Sequence, residues 1–486
     1  MKEVYFIDTT FRDGHASLWA EGMTTGMMLP VAEYMERAGF LGMELIATSH
    51  FLKCVRELKE DPWERIRLVA KRITKTPLRL MMHISVTAFD LTPYSVLALW
   101  MKRIAANGIK EVQLMEASND FSYRLPECIK FAKQAGLNVV LAIIYSISPR
   151  HTDDYYIQKT KDAVALGVDS IYLKDPAGLL TPDRVRTLVP SILRNSEGIP
   201  VELHSHCTTG LAPIVYLEAV KFGISRLHTA LPPLSDGSSL PSIFDVSKNL
   251  RHMGYSPVIE EKELEPVTKH FLYIAKREKL PLGAPVRYDY YQYEHQIPGG
   301  VISNLRHQLS GLKMLDRFDE VVKEIIKVRK DLGYPIMVTP FSQFIVSQAT
   351  INVMMGERYR QVTDEIIKYV LGFWGQEASN YVDPDLRAHV LRLPRAKELS
   401  RWQIPEPSID EIRKSMGTEE ISDDELLLRY IVPESEVKKM RELGRPIQEY
   451  ITYSNPLVAL VKELCKKKDL TSVYIQKGNI RLELRK

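Results

Sequence analysis

The chain has 486 residues, of which 45% are hydrophobic and 26% charged, a composition typical of folded globular proteins with two or three domains. Its 65 basic and 61 acidic residues leave a formal net charge of +4, which gives no electrostatic argument for binding nucleic acid or a membrane surface. No stretch is long enough to cross a bilayer, and the N-terminus lacks the pattern of a signal peptide. The four cysteines lie far apart without a CxxC pair, so we expect free thiols and a cytoplasmic protein.

Short apolar runs alternate with amphipathic stretches through roughly the first 230 residues. Eight runs predict strands, at residues 4–9, 41–47, 78–86, 111–116, 138–145, 170–175, 201–206 and 226–231. Several of the stretches between them end in glycine just before the next run, which is typical of a helix C-terminus. Strand–helix units repeated in series predict an α/β fold, a TIM (β/α)8 barrel, which we assign to residues 1–295.

The pattern changes after the barrel. Residues 296–445 are mainly helical in pattern and predict a C-terminal domain that completes the active site. Within this part, proline and charged residues become frequent over residues 384–410, which we interpret as a linker or an extended arm. Residues 446–486 predict a small tail made of one amphipathic helix and two alternating strands.

Polar side chains gather where the predicted strands end, which is the face on which TIM barrels carry their chemistry. His204 and His206 end the seventh run, and because strand residues two apart point to the same side, both imidazoles can face one ion. Imidazole suits zinc, manganese, cobalt and similar ions. Two hydrogen-bonded histidines without a metal would show the same spacing, so the residues alone leave both interpretations open.

A carboxylate and a lysine stand at two further strand ends. Asp13 follows the first strand, and a carboxylate is a sensible ligand beside two imidazoles. Lys174 ends the sixth strand, but an ammonium group has no lone pair and binds a cation only after deprotonation or conversion to a carbamate. Residue chemistry alone therefore favours an ordinary ion pair between Lys174 and Asp175 or Asp13.

Six segments resemble the carboxyltransferase family of biotin-dependent enzymes, which includes the carboxyltransferase domain of pyruvate carboxylase, the α subunit of oxaloacetate decarboxylase and a transcarboxylase subunit. The segments are IDTTFRDGHASLWA (7–20), EDPWERIR (60–67), LKDPAGLLTP (173–182), HSHCTTGLAP (204–213), HQIPGG (295–300) and DLGYPIMVTPFSQ (331–343). The similarity extends along most of residues 3–375, with weaker traces to about residue 445. Several motifs of this length, in the same order, make the resemblance specific.

The resemblance implies a divalent metal, usually zinc, manganese or cobalt, at the open end of the barrel. By position, the metal ligands are Asp13, Lys174 as a carbamate, His204 and His206. The resemblance also implies two catalytic residues. Arg12 stabilises the enolate oxygen of the substrate, and Thr339 moves a proton between the acceptor and biotin. Without the resemblance, Arg12 would be an ion-pair residue at the barrel mouth and Thr339 a strand or cap residue.

The positions expected to bind the acceptor depart from the family. Ala16 replaces a substrate-binding glutamine, and His83 stands where an arginine pairs with the carboxylate of pyruvate. Ser85 replaces a second glutamine beside it. Losing a desolvated arginine–carboxylate pair costs roughly 2–5 kcal/mol of binding. We therefore expect Ala16, His83, Ser85 and Arg12 to bind a small keto-type acceptor that is not pyruvate.

The biotin side of the reaction also differs from the family. Leu52 replaces an aspartate expected near the biotin ring, and Asp90, or Phe89 if the alignment slips by one residue, replaces a tyrosine. The sequence contains no MKM-type biotin acceptor and no ATP-grasp region, so we expect biotin on a separate carrier. The implied partners are a biotin carboxyl carrier protein, a biotin carboxylase subunit and further copies of this chain. The tail 446–486 could dock these partners, or could pack on its own chain.

The preferred hypothesis is a carboxyltransferase subunit with altered acceptor specificity. Three other functions remain open: a pyruvate carboxylase or oxaloacetate decarboxylase subunit of ordinary specificity, a metal-dependent lyase of the same barrel type, and a non-catalytic assembly subunit. Lys174 and Thr339 argue against a lyase, because the resemblance assigns them to the biotin branch. The complete set of metal ligands argues against an assembly subunit, which needs no metal.

Overall fold

The computed structural model describes residues 1–87, 91–401, 405–417, 420–444, 446, 449–450, 460, 464, 471–477 and 480–485. Eight of the strands are parallel: β1 Glu3–Asp8, β2 Gly42–Ala47, β3 Leu78–His83, β4 Glu111–Met115, β5 Asn138–Ile144, β6 Ser170–Asp175, β7 Val201–Ser205 and β8 Arg226–Thr229. They close into a barrel in sequence order, since β1 pairs with both β2 and β8. The predicted TIM barrel is therefore confirmed.

The barrel strands are buried on both faces, which is why they appear in the sequence as continuous apolar runs. Every residue of β2 and of β6 is buried. A further strand, β9 Ser256–Val258, lies parallel to the first residues of β1. Its three residues are too few to stand out in the sequence as an apolar run, so this strand was not predicted.

Helices surround the barrel, and side chains cap several of their N-termini. The helices are α1 His15–Leu18, α2 Thr25–Met28, α3 Ala32–Arg37, α4 Thr48–Lys53, α5 Pro62–Ala70, α6 Tyr94–Ala106, α7 Leu125–Gln134, α8 Asp153–Ala165, α9 Pro182–Asn195, α10 Ala212–Lys221, α11 Ile243–His252 and α12 Glu261–Glu278. Asp61, Thr152 and Thr181 accept hydrogen bonds from backbone N–H groups in the first turns of α5, α8 and α9.

The part that follows the barrel is helical, as predicted. Its helices are α13 Tyr291–His295, α14 Gly299–Gly311, α15 Phe318–Asp331, α16 Phe341–Met355, α17 Asp364–Val370, α18 Gln376–Ser379, α19 Pro384–Arg392, α20 Pro394–Leu399, α21 Ile409–Ser415, α22 Asp423–Ile431 and α23 Glu434–Glu442. The interpretation of residues 384–410 as a linker or extended arm was wrong for residues 384–399. Pro384 and Pro394 occupy the first helical positions of α19 and α20, where proline is compatible with a helix.

Two hydrophobic cores join the barrel to the helices. The first lies between the barrel and its surrounding helices, and Leu428 of α22 and Met440 of α23 pack into it. The second joins α15, α16 and α17 to the barrel. Met115 and Ile144, the last residues of β4 and β5, belong to this second core, so these helices cover the C-terminal end of the barrel.

Within the tail, the structure describes an antiparallel hairpin of β10 Ser472–Lys477 and β11 Ile480–Arg485, which forms a sheet of its own. The two predicted tail strands are therefore present, whereas most of the predicted tail helix lies outside the described residues. Across the described ranges, no helix combines the length and hydropathy that a membrane crossing requires.

Candidate metal centre and active site

Three buried side chains in or just after the first and seventh strands converge at the C-terminal end of the barrel. Asp13 lies in the π-helical turn Thr10–Gly14 after β1, His204 lies in β7, and His206 follows that strand. The two histidine Nε2 atoms are 3.2 Å apart, and Asp13 oxygens lie 3.3 Å from His204 Nε2 and 3.6 Å from His206 Nε2. The three ligand atoms lie within 4.8 Å of one another, and two imidazoles with a carboxylate suit a zinc-type ion.

Lys174 joins this cluster because β6 pairs with β7 in a register that sets Lys174 opposite His204. Its Nζ lies 3.5 Å from His204 Nε2 and 4.0 Å from Asp13 Oδ2. Burial, with a further contribution from the positive charge of Arg12, lowers the pKa of Lys174 to about 8. A larger fraction of Lys174 than of an exposed lysine is therefore the neutral amine, which is the form that adds CO2 to become a carbamate.

Asp175 does not provide the ordinary ion pair that residue chemistry favoured for Lys174. Its carboxylate accepts two hydrogen bonds at 2.8 Å from backbone N–H groups of the following loop and one at 2.7 Å from Ser205 Oγ. In the described part of the chain, Asp13 is the one carboxylate that comes within 4.0 Å of the Lys174 amine. Lys174 therefore belongs to the cluster around Asp13.

The imidazole of His206 is oriented by a backbone carbonyl. Its Nδ1 donates to the carbonyl oxygen of Ser238 at 2.7 Å, so the lone pair is on Nε2, which faces the cluster. The loop after β6 closes against His206 because Gly178 has φ +65° and no side chain. A Cβ at Gly178 would lie 2.5 Å from the carbonyl oxygen of His206.

A buried network continues behind His204. His204 Nδ1 lies 3.1 Å from His228 Nδ1, and His228 Nε2 lies 2.8 Å from Glu202 Oε2, which Arg79 also holds. When a neutral His228 donates from Nε2 to Glu202, its Nδ1 accepts a hydrogen bond from the Nδ1–H of His204. The Nε2 lone pair of His204 then faces the cluster. Glu44 Oε1 is also 3.1 Å from His228 Nδ1, so a doubly protonated His228 would bridge two carboxylates. His204 would then carry its proton on Nε2, towards Asp13.

Arg12 is buried beside the cluster, and carboxylates hold its guanidinium on two sides. One terminal nitrogen lies 2.7 Å from Asp13 Oδ2, and Nε donates to Glu44 Oε2 at 2.7 Å. Burial opposes ionisation of Asp13, but the positive charge of Arg12 holds the pKa of Asp13 well below its usual range. Asp13 is therefore an ionised carboxylate that can bind a cation at neutral pH.

A cavity of about 370 Å³ opens beside the cluster. Its lining includes Asp13, Lys174 and His206, together with Thr339, which lies just before α16, and His83 at the end of β3. The cavity thus brings the predicted proton-transfer residue and three of the four predicted metal ligands to one space. Residues from the barrel and from the C-terminal helices both contribute to it.

The residues predicted to bind the acceptor are not all in contact with this cavity. Among the described residues of that set, His83 lines the cavity, whereas Ala16, Ser85 and Arg12 do not. Ser85 is buried, and its hydroxyl is 2.7 Å from the hydroxyl of Thr92. Ala16 lies half-buried in α1.

His83 does not replace the positive charge of the arginine expected there. Burial, and then the charge of Lys174, lowers the pKa of His83 to about 4, so the ring is neutral near pH 7. Of the two positions expected near biotin, Leu52 packs against the barrel core. Asp90 and Phe89 lie outside the described residues.

Three buried polar groups behind the cluster were not predicted from the sequence: Glu44, Glu202 and His228. Glu202 precedes His204 by two residues on the same strand, so its side chain shares the face of that histidine. Glu44 lies within the otherwise apolar β2, and His228 lies between Leu227 and Thr229 in β8. A charged or polar residue inside a predicted strand was the signal that could have identified all three.

Family models and relatives of known name match nearly the whole length of the chain. A family model described as HMGL-like matches residues 3–269, more than half of the chain, and one described as a conserved carboxylase domain matches residues 293–478. A pyruvate carboxylase subunit of Methanocaldococcus jannaschii is 39% identical over 391 residues, which are 80% of this chain and 68% of that protein. The 2-oxoglutarate carboxylase large subunit of Hydrogenobacter thermophilus is 30% identical, over 89% of this chain and 67% of that protein.

A solved structure shares the fold. The carboxyl transferase domain of Rhizobium etli pyruvate carboxylase matches with a TM-score of 0.82 at 22% identity, over 90% of this chain and 77% of that chain. At this identity the likeness establishes the fold alone. The corresponding pyruvate carboxylase subunit of Methanothermobacter thermautotrophicus, by contrast, is 34% identical over 88% of this chain and 76% of its own length. The chain therefore belongs to the carboxyltransferase family of biotin-dependent enzymes, and it is a carboxyltransferase subunit.

Proposed function

We propose that the chain transfers a carboxyl group between biotin on a separate carrier protein and a small keto-type acceptor, as one subunit of a biotin-dependent carboxylase. The observation that carries the proposal is the convergence of Asp13, Lys174, His204 and His206 beside a cavity that Thr339 also lines. Relatives named as subunits of pyruvate carboxylase and 2-oxoglutarate carboxylase support the reaction class.

We propose that these four side chains hold a divalent ion: zinc, manganese or cobalt. Two imidazole nitrogens, a carboxylate and the oxygens of a carbamate on Lys174 are donors that these ions accept. When bound, such an ion supplies Lewis-acid polarisation of the acceptor carbonyl. The lowered pKa of Lys174 supports the carbamate, because it increases the fraction of neutral amine at neutral pH.

The residues of the chain have two chemical tasks in this proposal. Thr339 Oγ1 carries a proton between the acceptor carbon and the biotin ring, as general acid and base. Arg12, held by Asp13 and Glu44, keeps a fixed positive charge beside the cluster, where it stabilises negative charge that develops on the acceptor oxygen. Because carboxylates already engage Arg12 on two sides, its orientation needs no rearrangement during the reaction.

Thr339→Ala tests the proton-transfer role. Biotin on a carrier domain is charged with labelled bicarbonate by a biotin carboxylase, and transfer of the label to the acceptor is followed. Because acid–base groups contribute roughly 10²–10⁴-fold, we expect T339A to lose about 100-fold or more in turnover with unchanged metal content. T339S keeps the hydroxyl and should stay within about tenfold of the natural protein.

Thr350→Ala is the matched control for T339A. Thr350 lies in α16, the helix that follows Thr339, and its hydroxyl donates to the carbonyl of Val346 at 2.8 Å, outside the cavity. T350A should therefore transfer label at the natural rate. Full turnover by T339A, or equal losses in T339A and T350A, would remove the basis for the proton-transfer role.

We also propose that the acceptor is a keto compound other than pyruvate. Three observations support this: His83 is neutral near pH 7, carboxylates already engage Arg12, and Ala16 has no polar group to offer. A binding site for the carboxylate of pyruvate normally supplies a paired cation, and its loss costs roughly 2–5 kcal/mol. Assays of the metal-loaded protein with pyruvate, oxaloacetate and uncharged ketones decide the matter, since pyruvate carboxylation at an ordinary rate would reject the proposal.

Pyruvate is the second candidate acceptor, and a specific observation favours it. Two of the relatives, at 39% and 34% identity, are named as pyruvate carboxylase subunits. The same assays distinguish the two candidates, because a pyruvate enzyme would show its highest kcat/KM with pyruvate or oxaloacetate. A preference for an uncharged ketone would instead support the altered acceptor.

The partners we propose are a biotin carboxyl carrier protein, a biotin carboxylase subunit and further copies of this chain. We propose the divisions 1–295, 296–445 and 446–486, with the tail as the docking segment. Its hairpin forms a sheet apart from the barrel sheet, and two-stranded sheets are seldom stable alone, which supports a role in contacts. Deleting residues 450–486 should weaken co-purification with the partners and leave metal content unchanged. An unchanged complex would exclude the docking role.

A further inference from the structure

Glu21 reaches the cavity beside the metal cluster, and the mechanism above does not use it. It lines the same space as Asp13 and Lys174. Its backbone N–H donates to the carbonyl oxygen of His15 at 3.2 Å, which ties the residue to the helix that follows Asp13. Ala20 and Glu21 have φ values of +47° and +63°, a left-handed conformation that is costly for residues other than glycine. The backbone therefore fixes Glu21 at the cavity in spite of local strain.

The carboxylate of Glu21 has weak partners. Ser49 Oγ lies 3.5 Å away, and His50 Nε2 lies 3.7 Å away, beyond a good hydrogen bond. The amine of nearby Lys53 pairs with Glu57 instead, and no lysine or arginine nitrogen of the described chain comes within 4.0 Å of Glu21. The Glu21 side chain keeps 29% of its surface exposed, so its oxygens are accessible to a ligand in the cavity.

The charges of the cavity oppose an anionic ligand. Among its described lining residues, Asp13 and Glu21 are the acidic ones, Lys174 is the one lysine, and there is no arginine. With Lys174 as a carbamate, three negative groups would outnumber the two positive charges of a divalent ion, because Glu44 offsets the positive charge of Arg12 outside the cavity. Without Glu21 the same site would be neutral, so Glu21 decides the sign of the charge that an acceptor meets.

We infer that Glu21 is a specificity-determining residue, which accepts a hydrogen bond from an uncharged donor group of the acceptor and disfavours acceptors that present a carboxylate. This inference rests on the proposed carboxyltransferase function and names the acceptor class: a ketone whose polar end is an amide or a hydroxyl. A like charge across a half-enclosed site lowers affinity by roughly tenfold to a hundredfold. A glutamine in its place keeps the shape of the side chain and removes that charge.

The test measures binding of pyruvate and of its neutral amide, pyruvamide, to the full-length metal-loaded protein by calorimetry. We expect the natural protein to bind pyruvamide about tenfold more tightly than pyruvate, and Glu21→Gln to gain about tenfold in affinity for pyruvate. Glu127→Gln is the matched control, because it removes a carboxylate whose side chain is 43% exposed and does not line the cavity. E127Q should leave both affinities unchanged.

Equal pyruvate affinity in the natural protein and E21Q overturns the inference, and so does the absence of measurable binding of either probe to either protein. In the carboxyl-transfer assay, E21Q should change KM for carboxylate acceptors more than kcat if Glu21 determines specificity. If the role of Glu21 is purely structural, E21Q should lower kcat for every acceptor. The two proposals fail separately. If the protein transfers carboxyl groups but E21Q has the same acceptor preference as the natural protein, the specificity role alone is rejected. If E21Q changes the binding preference but the natural protein shows no transfer activity, the proposed reaction alone is rejected.

Discussion

Replacing His228 by alanine tests whether the network behind His204 orients that residue for metal binding. The His228 ring is fully buried, and its nitrogens contact His204, Glu44 and Glu202. After the substitution, Glu202 keeps two hydrogen bonds from Arg79, at 2.7 and 3.1 Å, and Glu44 keeps its hydrogen bond from Arg12. Both carboxylates therefore remain paired, and the group that loses its partner is His204 Nδ1.

The structure allows the size of the effect to be worked out. Partners that orient a metal-bound imidazole contribute about tenfold to a hundredfold in metal affinity, which is roughly 1.4–2.8 kcal/mol. An unpartnered buried Nδ1 at His204 and the space left by the ring should also lower the free energy of unfolding by about 2–4 kcal/mol. H228N should recover part of the metal affinity, because its amide oxygen can accept the proton of His204 near the former Nδ1 position.

Competition between the metal-free protein and a zinc chelator measures the metal affinity, and urea unfolding measures stability. His270→Ala is the matched control, since His270 is 1% exposed and its one described hydrogen bond goes to the carbonyl of Met27 at 2.8 Å. We expect H270A to lose stability without losing metal affinity. Natural metal affinity in H228A, with a stability loss like that of H270A, would refute the orienting role.

Three further predictions concern other parts of the site. Arg79→Met should lower the free energy of unfolding by about 3–5 kcal/mol in urea titrations, because the buried Glu202 loses its close ion pair and keeps Arg226, 3.9 Å away, as its nearest described arginine. A change below about 1 kcal/mol would contradict this. Depleting CO2 and bicarbonate should lower the metal content severalfold, and restoring them should reverse the loss, if Lys174 binds the ion as a carbamate; metal content independent of bicarbonate would exclude that ligand. The pKa of His83 is about 4 in the folded protein and 6.5 in an unfolded chain, so the unfolded state binds more protons between these values. The stability contribution of His83 is therefore complete above pH 6.5 and is lost as the pH falls towards 4. The unfolding free energy of the natural protein relative to H83Q should therefore drop by at most about 3 kcal/mol between pH 7 and pH 4, and a constant difference would show that His83 is not desolvated.

Much of the barrel was predictable from local sequence. The eight predicted runs coincide with β1–β8 to within a few residues, because strands buried on both faces require continuous apolar residues. His204 and His206 meet for an equally local reason, the two-residue repeat of a strand. The segment 384–399 was misjudged because proline indicates an interruption inside a helix but is compatible with its first position.

The sequence by itself determined the barrel, its functional face and the residues that could hold a metal. It could not determine their chemical state, which depends on neighbours brought together by folding. Lys174 is a buried amine with a lowered pKa because strand register sets it beside His204. His83 is neutral because the fold desolvates it, and Glu21 faces the same cavity because a left-handed turn directs it there. Charge and hydrogen bonding are properties of a site's surroundings, and those surroundings exist only in the tertiary structure.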